Sequence, residues 1–288
     1  MAVAVPALGR IRSARITLVP RTYPGALNWL GVALIGVVTL IALAVPALAP
    51  HDPLLPVGMP LRPPGTSGFL LGTDNIGRDL LSRVLYGMRA SWFAALGVVA
   101  SGLIVGGLIG TIAGAAGGWI DALLMRITDA FLALPAPVLA IAVVAALGPG
   151  FVHTLIAVSI VWWPFYARLV RGEVNALAAR PHVEAAKLAG AGPIRLATRH
   201  LLPGAAPGAL VAASLDLGTL ILTLTSLSFL GLGQPAPAPE LGADAAHNLS
   251  YFLQQWWIPV MPGLGVLVLA LIGTVAGDCL RNLMDKDR

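Results

Sequence analysis

Three acids, Asp121, Asp129 and Asp216, fall within or at the start of long apolar runs, where an ionisable side chain is costly enough to be suspected of function. Asp216 lies about two turns into the run 207–230, nearer the headgroups than the bilayer centre. It serves either packing and gating or direct contact with a solute. The same run carries Ser214, Thr219, Thr223, Thr225, Ser226 and Ser228. Such hydroxyls either line a wet path for a polar solute or bond back to carbonyls one turn earlier. Asp216, Thr219, Thr223 and Ser226 are the candidate pathway residues. The sequence offers little for catalysis. It has no GxxxxGK followed by Ser or Thr, and hence no phosphate loop of that kind. His51, His153, His182, His200 and His247 lack metal-ligand spacing, and there is no HExxH. No nucleophile, base and orienter can be assembled from its motifs. Cys279 is the single cysteine, which excludes an intrachain disulfide and a cysteine metal cluster. An enzyme is therefore a poor reading, and no catalytic residue, metal site or cofactor is expected in this chain.

A second group of polar residues is gathered in one island, 173–203, between strongly apolar segments. It holds Arg180, His182, Glu184, Lys187, Arg195, Arg199 and His200 among helix-forming residues. The pattern predicts two short helices lying across a membrane face. Pro181 suits the first turn of the first helix, Gly190 supplies a left-handed stop after Ala189, and Pro193 starts the second helix. Glu184 and Lys187, three apart, are spaced to pair on the exposed side, leaving Val183 and Leu188 for an apolar contact.

A third group opens at Gly72. Ile76, Leu80, Leu81, Val84 and Leu85 recur at helical spacing, with Arg78, Asp79, Ser82 and Arg83 opposite. This predicts an amphipathic helix in the interface over 72–88, with Asp74 as N-cap, Gly87 as stop and the charged residues on a solvated face.

The elements that must carry these groups follow from composition. Of the 288 residues, 57% are hydrophobic and 11% charged, against about 25% charged in a soluble domain. A chain of this kind belongs in a bilayer, where apolar runs of about 20 residues read as helices. Six spans are predicted, at 26–49, 91–116, 122–147, 154–167, 207–230 and from Trp256 or Ile258 to Ala276. The first run is too long for a secretory signal and lacks a convincing cleavage site, so it reads as a retained span. Residues 50–69, rich in Pro and Gly, read as an extended loop.

With the N-terminus inside, fourteen basic residues lie on the cytoplasmic side: Arg10, Arg12, Arg15, Arg21, Arg126, Arg168, Arg171, Arg180, Lys187, Arg195, Arg199, Arg281, Lys286 and Arg288. Arg62, Arg78, Arg83 and Arg89 lie on the other. That asymmetry sets the orientation, with both termini and the polar island cytoplasmic. The net charge of +5 is thus spread by topology and does not form a nucleic-acid-binding face. Gly102, Gly106, Gly110, Gly114 and Gly118 recur every fourth residue, a spacing for close helix packing within the bundle or against a partner. Pro135, Pro137 and Pro164 are expected to kink their spans.

Two of the three groups carry a resemblance to a known family. Glu184, Ala185, Ala186 and Gly190, with the closing His200, Leu201, Leu202 and Pro203, resemble the EAA loop of ABC-importer permeases. Gly72, Thr73, Asp74, Gly77, Arg78, Asp79, Ser82, Arg83, Tyr86 and Gly87 match the GTD-x-x-GRD-x-x-SR-x-x-YG signature of the C-type permeases of dipeptide, oligopeptide and nickel importers. Ser228 to Gly233, SFLGLG, and Gly277, Asp278, Leu280 and Arg281 are similar to further family runs. Leu241-Gly242 stands where the family has Trp-Gly, and Gly204 where Asn often follows the Leu-Pro.

The resemblance implies an all-α polytopic membrane subunit in a bacterial cytoplasmic (inner) membrane, working by alternating access. Its partners would be a second homologous permease subunit, two cytoplasmic ATPase subunits holding ATP and Mg, and an extracytoplasmic substrate-binding protein. Val183, Glu184, Ala185, Ala186, Lys187, Leu188 and Gly190 would carry ATPase coupling. Gly72, Thr73, Asp74, Gly77, Arg78 and Asp79 would form the outer interfacial signature. Peptide is the first substrate class, and nickel or a nickel chelate the alternative. An ion-coupled secondary transporter and a scaffold subunit stay open as rivals, though no internal repeat is apparent. The implied organisation is a basic tail at 1–22, a first span and outer loop at 23–71, the interfacial helix at 72–88, a permease core at 89–279 with its loop at 173–203, and a tail at 280–288.

Overall fold

The computed structural model describes residues 25–285, with side chains over 29–283. The basic tail at 1–22, with Arg10, Arg12, Arg15 and Arg21, lies outside the described residues, as do Lys286 and Arg288. Among the described residues every regular element is helical, and β-pairing is confined to isolated bridges in the loop 49–79.

Helix α1 spans Gly25–Leu48, α2 Leu80–Ala116, α3 Gly118–Leu132, α4 Ala136–Leu147 and α5 Phe151–Ala178. They are followed by α6, Pro181–Leu188, and α7, Pro193–Leu196, which runs through a π-helical turn, Ala197–Leu201, into α8, Leu202–Phe229. The chain ends with α9, Leu241–His247, and α10, Trp257–Asp285. Among the described residues five helices are long and apolar enough to cross a membrane, and the pair α3 and α4, bent by 88°, brings the count to six if it serves as one span. The antiparallel run of these helices gives two ends. The long-loop end carries residues 49–79 and 230–256, and the short-helix end carries α6 and α7.

The core of the bundle is the α2–α5–α8 contact, centred on the buried Trp92, Val98, Tyr166, Leu220 and Ile221. The glycine periodicity explains how close α2 comes to α5. A Cβ added at Gly102, Gly106, Gly110 or Gly114 would run into Tyr166, the Trp163 carbonyl, the Ala167 carbonyl or Val174, so the stripe is an intramolecular seam. Gly118 does not belong to it, because it opens α3 at φ +55 with nothing near its Cβ position. Helix α1 packs on α10 and α2, and the Trp92 indole donates to Thr39 Oγ1 at 3.0 Å.

Several sequence expectations need correction. The third span is not one helix, because Pro135, which has no N–H to continue the ladder, caps the start of α4 and the chain turns through 88° there. The fourth and fifth spans are longer than expected, and α5 is continuous through Pro164. The second short helix is not separate, since 193–229 form one uninterrupted helical run. The helix expected over 72–88 begins only at Leu80 and does not stop at Gly87. Gly77 sits at φ +91, which breaks any helix starting at Asp74. Gly87 is small for packing, since an added Cβ there would press on Leu241 of α9.

Candidate functional site

The polar island is built by a defined start and stop. Arg180 is extended, Pro181 takes the first turn of α6 and Glu184 also falls in that turn. At the other end Gly190, at φ +82, closes a Schellman turn in which its N–H donates to the Lys187 carbonyl at 3.0 Å and the Ala191 N–H to the Ala186 carbonyl at 3.0 Å. One side chain anchors the helix. Val183 is fully buried among Val174, Leu177, Leu196 and Leu201, worth about 1.5–3 kcal/mol. Glu184, Ala185, Lys187 and Leu188 face outward, with Leu188 91% and the neighbouring Ile194 78% exposed. Two expectations fail here. Among the described residues Glu184 and Lys187 do not pair, and Leu188 is left uncovered, with Val183 the one buried side chain of the eight-residue helix.

The signature residues fold into a loop that is bonded almost throughout. Thr73 Oγ1 donates to the Met59 carbonyl at 2.6 Å and accepts from the Arg62 N–H at 2.9 Å. Asp74 Oδ1 accepts from the backbone N–H of Ile76 at 3.0 Å and of Arg78 at 2.9 Å, and Arg78 Nε donates to Asp74 Oδ2 at 2.6 Å. Asp74 therefore caps a turn, and the N-cap of α2 is Asp79, whose Oδ2 accepts from the Ser82 N–H at 3.0 Å and hydroxyl at 2.5 Å. Gly72 and Gly77, both at positive φ, lie where a Cβ would strike the Arg62 and Gly58 carbonyls.

These residues do not form a solvated face. Asp74, Arg78, Asp79, Ser82 and Arg83 are all buried. Arg83 ties three segments together, donating to the carbonyls of Pro53 at 2.9 Å and Pro237 at 3.1 Å and to the carboxylate of Asp244. Beside it Glu240 accepts from the Ser228 hydroxyl and from the Gln234 N–H at 2.5 Å. Burial raises the Asp244 carboxyl against the opposing pull of Arg83, and burial likewise raises Glu240 against its two donors. Asp244 and Glu240 were missed in the sequence, where nothing local marks them, since their partners lie far away along the chain.

The candidate pathway residues are dispersed. Asp216 Oδ2 accepts from the Trp162 indole at 3.2 Å and the Tyr166 hydroxyl at 3.0 Å, joining α8 to α5. Thr223 donates to the Thr219 carbonyl at 2.8 Å and Ser226 to the Leu222 carbonyl at 2.7 Å, so these hydroxyls bond back to their own helix. Thr219 and Ser226 sit on the exposed face of α8, away from the Asp216 bonds. Asp121 and Asp129 are paired with Arg171 and Arg168, the former through both guanidinium contacts at 2.5 Å.

Residues 106–287 match a family model described as a binding-protein-dependent transport system inner membrane component. The chain is 42% identical over 241 residues to the probable D,D-dipeptide transport system permease protein of Escherichia coli (strain K12), covering 83% of this chain and 80% of that protein. It is 41% identical over 267 residues to the di/tripeptide transport system permease protein of Pseudomonas aeruginosa (strain UCBPP-PA14), covering 91% and 88%. Among solved structures, it is similar to a chain of the inward-facing MetNI methionine ABC transporter, with TM-score 0.57, 19% identity and coverage of 71% of this chain and 97% of that one. That level of identity shows a shared fold alone.

Proposed function

The chain belongs to the family of binding-protein-dependent transport system inner membrane components, and on that premise we propose that it is the membrane-spanning permease subunit of an ATP-driven peptide importer. It forms half of the translocation pathway with a second permease subunit and takes peptide from an extracytoplasmic binding protein. The peptide assignment rests on relatives named as dipeptide and di/tripeptide permeases over most of both chains.

The observation that carries the coupling role is the display of α6. A helix held by the single buried side chain Val183 turns Glu184, Ala185, Lys187 and Leu188 outward, and leaves Leu188 and Ile194 uncovered beside them. Such a surface fits a groove of a cytoplasmic ATPase, which would bind ATP and Mg while this chain transmits the movement. The rigid Schellman stop at Gly190 and the unbroken run from Pro193 through α8 give that movement a lever into the bundle. Asp216 acts by holding α8 to α5 through Trp162 and Tyr166, a positioning role within the pathway wall. The long-loop end faces outward, in keeping with the excess of basic residues at the other end.

The test is uptake of a labelled dipeptide by the complete importer in proteoliposomes. Uptake is expected to require ATP and the binding protein. Glu184→Ala is expected to lower it while the binding protein's own affinity for peptide is unchanged. Uptake without nucleotide, or full uptake by Glu184→Ala, would sink the reading.

A further inference from the structure

Among the described residues four arginines lie at the long-loop end, and three have partners. Arg78 is held by Asp74, Arg83 by Asp244 and two carbonyls, and the Arg62 guanidinium sits over the Phe69 ring at 5.9 Å. Arg89, half-buried one turn beyond Tyr86 on α2, has no hydrogen-bond or ion-pair partner among the described residues. It lines a cavity of about 420 Å³ with Tyr86, Phe93, Phe151, Gln234 and Pro239. The walls come from α2, the start of α5 and the loop before α9, so this is a cleft between elements and not a convex outer face. Phe151 and Leu155 are shared with a second, apolar cavity of about 590 Å³ that follows the α2–α5 seam past Ser101 and Ser159 to Trp163. The two cavities adjoin along the α2–α5 side of the bundle, and the second is open, with Val105, Val152 and Ile156 of its lining exposed.

An arginine stays charged at any accessible pH, and a half-buried guanidinium without a counter-charge gains from an anion brought beside it. Among the described residues no carboxylate lines this cavity. The site therefore wants an oxyanion, and the planar fork of an arginine matches a carboxylate through two parallel hydrogen bonds. Around it the Tyr86 hydroxyl and Gln234 amide offer polar contacts, and Phe93 and Phe151 offer apolar faces for a side chain. The volume lies within the usual range of small-molecule sites, roughly 300–1,000 Å³.

We propose that Arg89 recognises the free C-terminal carboxylate of a short peptide as it leaves the binding protein and enters the permease, with the Tyr86–Phe93–Phe151 cleft seating the terminal residue. This rests on the peptide-importer reading and deepens it, by adding a carboxylate requirement within the permease itself. A lipid phosphate is the other oxyanion within reach of this end of the bundle. The roof formed by Gln234 and Pro239 favours a solute arriving from the outer loops.

The test uses the complete importer in proteoliposomes, with the photoreactive p-benzoylphenylalanine in place of Phe93 and a labelled dipeptide in turnover. Light is expected to attach the peptide to this chain. The yield should fall about tenfold in Arg89→Gln, the loss expected for a charge-assisted hydrogen bond, and be largely kept in Arg89→Lys. Equal labelling in all three while uptake proceeds overturns the proposal, and so does attachment to phospholipid only. Loss in both variants assigns Arg89 to packing and also overturns it. An importer with Arg89 intact that takes up no peptide brings down the peptide reading itself, which is a different failure.

Discussion

The two ends of this bundle solve opposite problems. At the long-loop end, Arg89 aside, buried charged residues are matched within the chain: Asp74 with Arg78, Asp244 with Arg83, Glu240 with the Ser228 hydroxyl and the Gln234 backbone N–H. At the short-helix end, one buried valine anchors a helix whose other side faces out, with Leu188 and Ile194 uncovered. The first arrangement spends polar groups on fixing loop against helix, because a buried charge without its partner is costly. The second leaves apolar and charged groups unused by the chain, which is how a surface completed by another subunit is built. Substitutions in the buried network of the first end should therefore be read out in stability, and those on the outward side of α6 in transport.

The largest effect is expected from Arg83→Ala. It strands the Asp244 carboxylate in a buried site and removes the bonds to Pro53 and Pro237, a loss of about 3–5 kcal/mol. Thermal unfolding of the purified protein in detergent should show a clear drop in Tm. The double variant Arg83→Ala with Asp244→Ala should recover part of it, since no lone charge remains. If Arg83→Ala melts with the native protein, the long-loop end is not held by this cluster and the contrast between the ends collapses.

Gly190→Pro should do the reverse. Proline cannot adopt φ +82 and has no N–H to give the Lys187 carbonyl, so the turn closing α6 is lost at a cost of about 1–3 kcal/mol confined to that segment. Tm of the bundle should stay close to native while ATP-dependent uptake falls. A large drop in Tm would show that α6 is part of the folded core, and native uptake would remove it from the coupling path.

Legibility in the sequence follows the same division. Short-range features were readable: five of the six spans, the proline start and glycine stop of α6, and the four-residue spacing of the α2 glycines all depend on neighbours a turn or two away, whereas the helix that the stripe packs on did not show in the spacing. Val183 was read as apolar contact and is buried, but Leu188 was grouped with it, because spacing alone cannot tell an inward face from one awaiting a partner. At the long-loop end local reading failed. Ile76, Leu80 and Val84 do fall at helical spacing, yet Asp74 is satisfied by a turn and the helix waits for Asp79. Arg83 looked solvated because its acid lies 161 residues further on. The 88° turn before α4 was signalled by Pro135, but a proline marks where a helix breaks and not the angle of the break.

The smallest effect concerns Glu240, and it probes how tightly the long-loop end is closed. Burial lifts its carboxyl above the ordinary 4.5, and the bonds from Ser228 and the Gln234 backbone N–H offset that only in part. The folded protein therefore holds the proton more tightly than the unfolded chain. The stability that Glu240 contributes is fully present below pH 4.5 and is lost as pH rises through the raised folded value. Asp244, lifted in the same direction by burial, adds a slope of the same sign. Glu240→Gln keeps an acceptor for the Gln234 backbone N–H but does not titrate, so Tm should fall less steeply with pH than in the native protein. The Asp244 share of the slope should remain. Parallel Tm profiles for the two proteins between about pH 4.5 and 8 would mean that water reaches Glu240, and that the long-loop end is less sealed than its bonds imply.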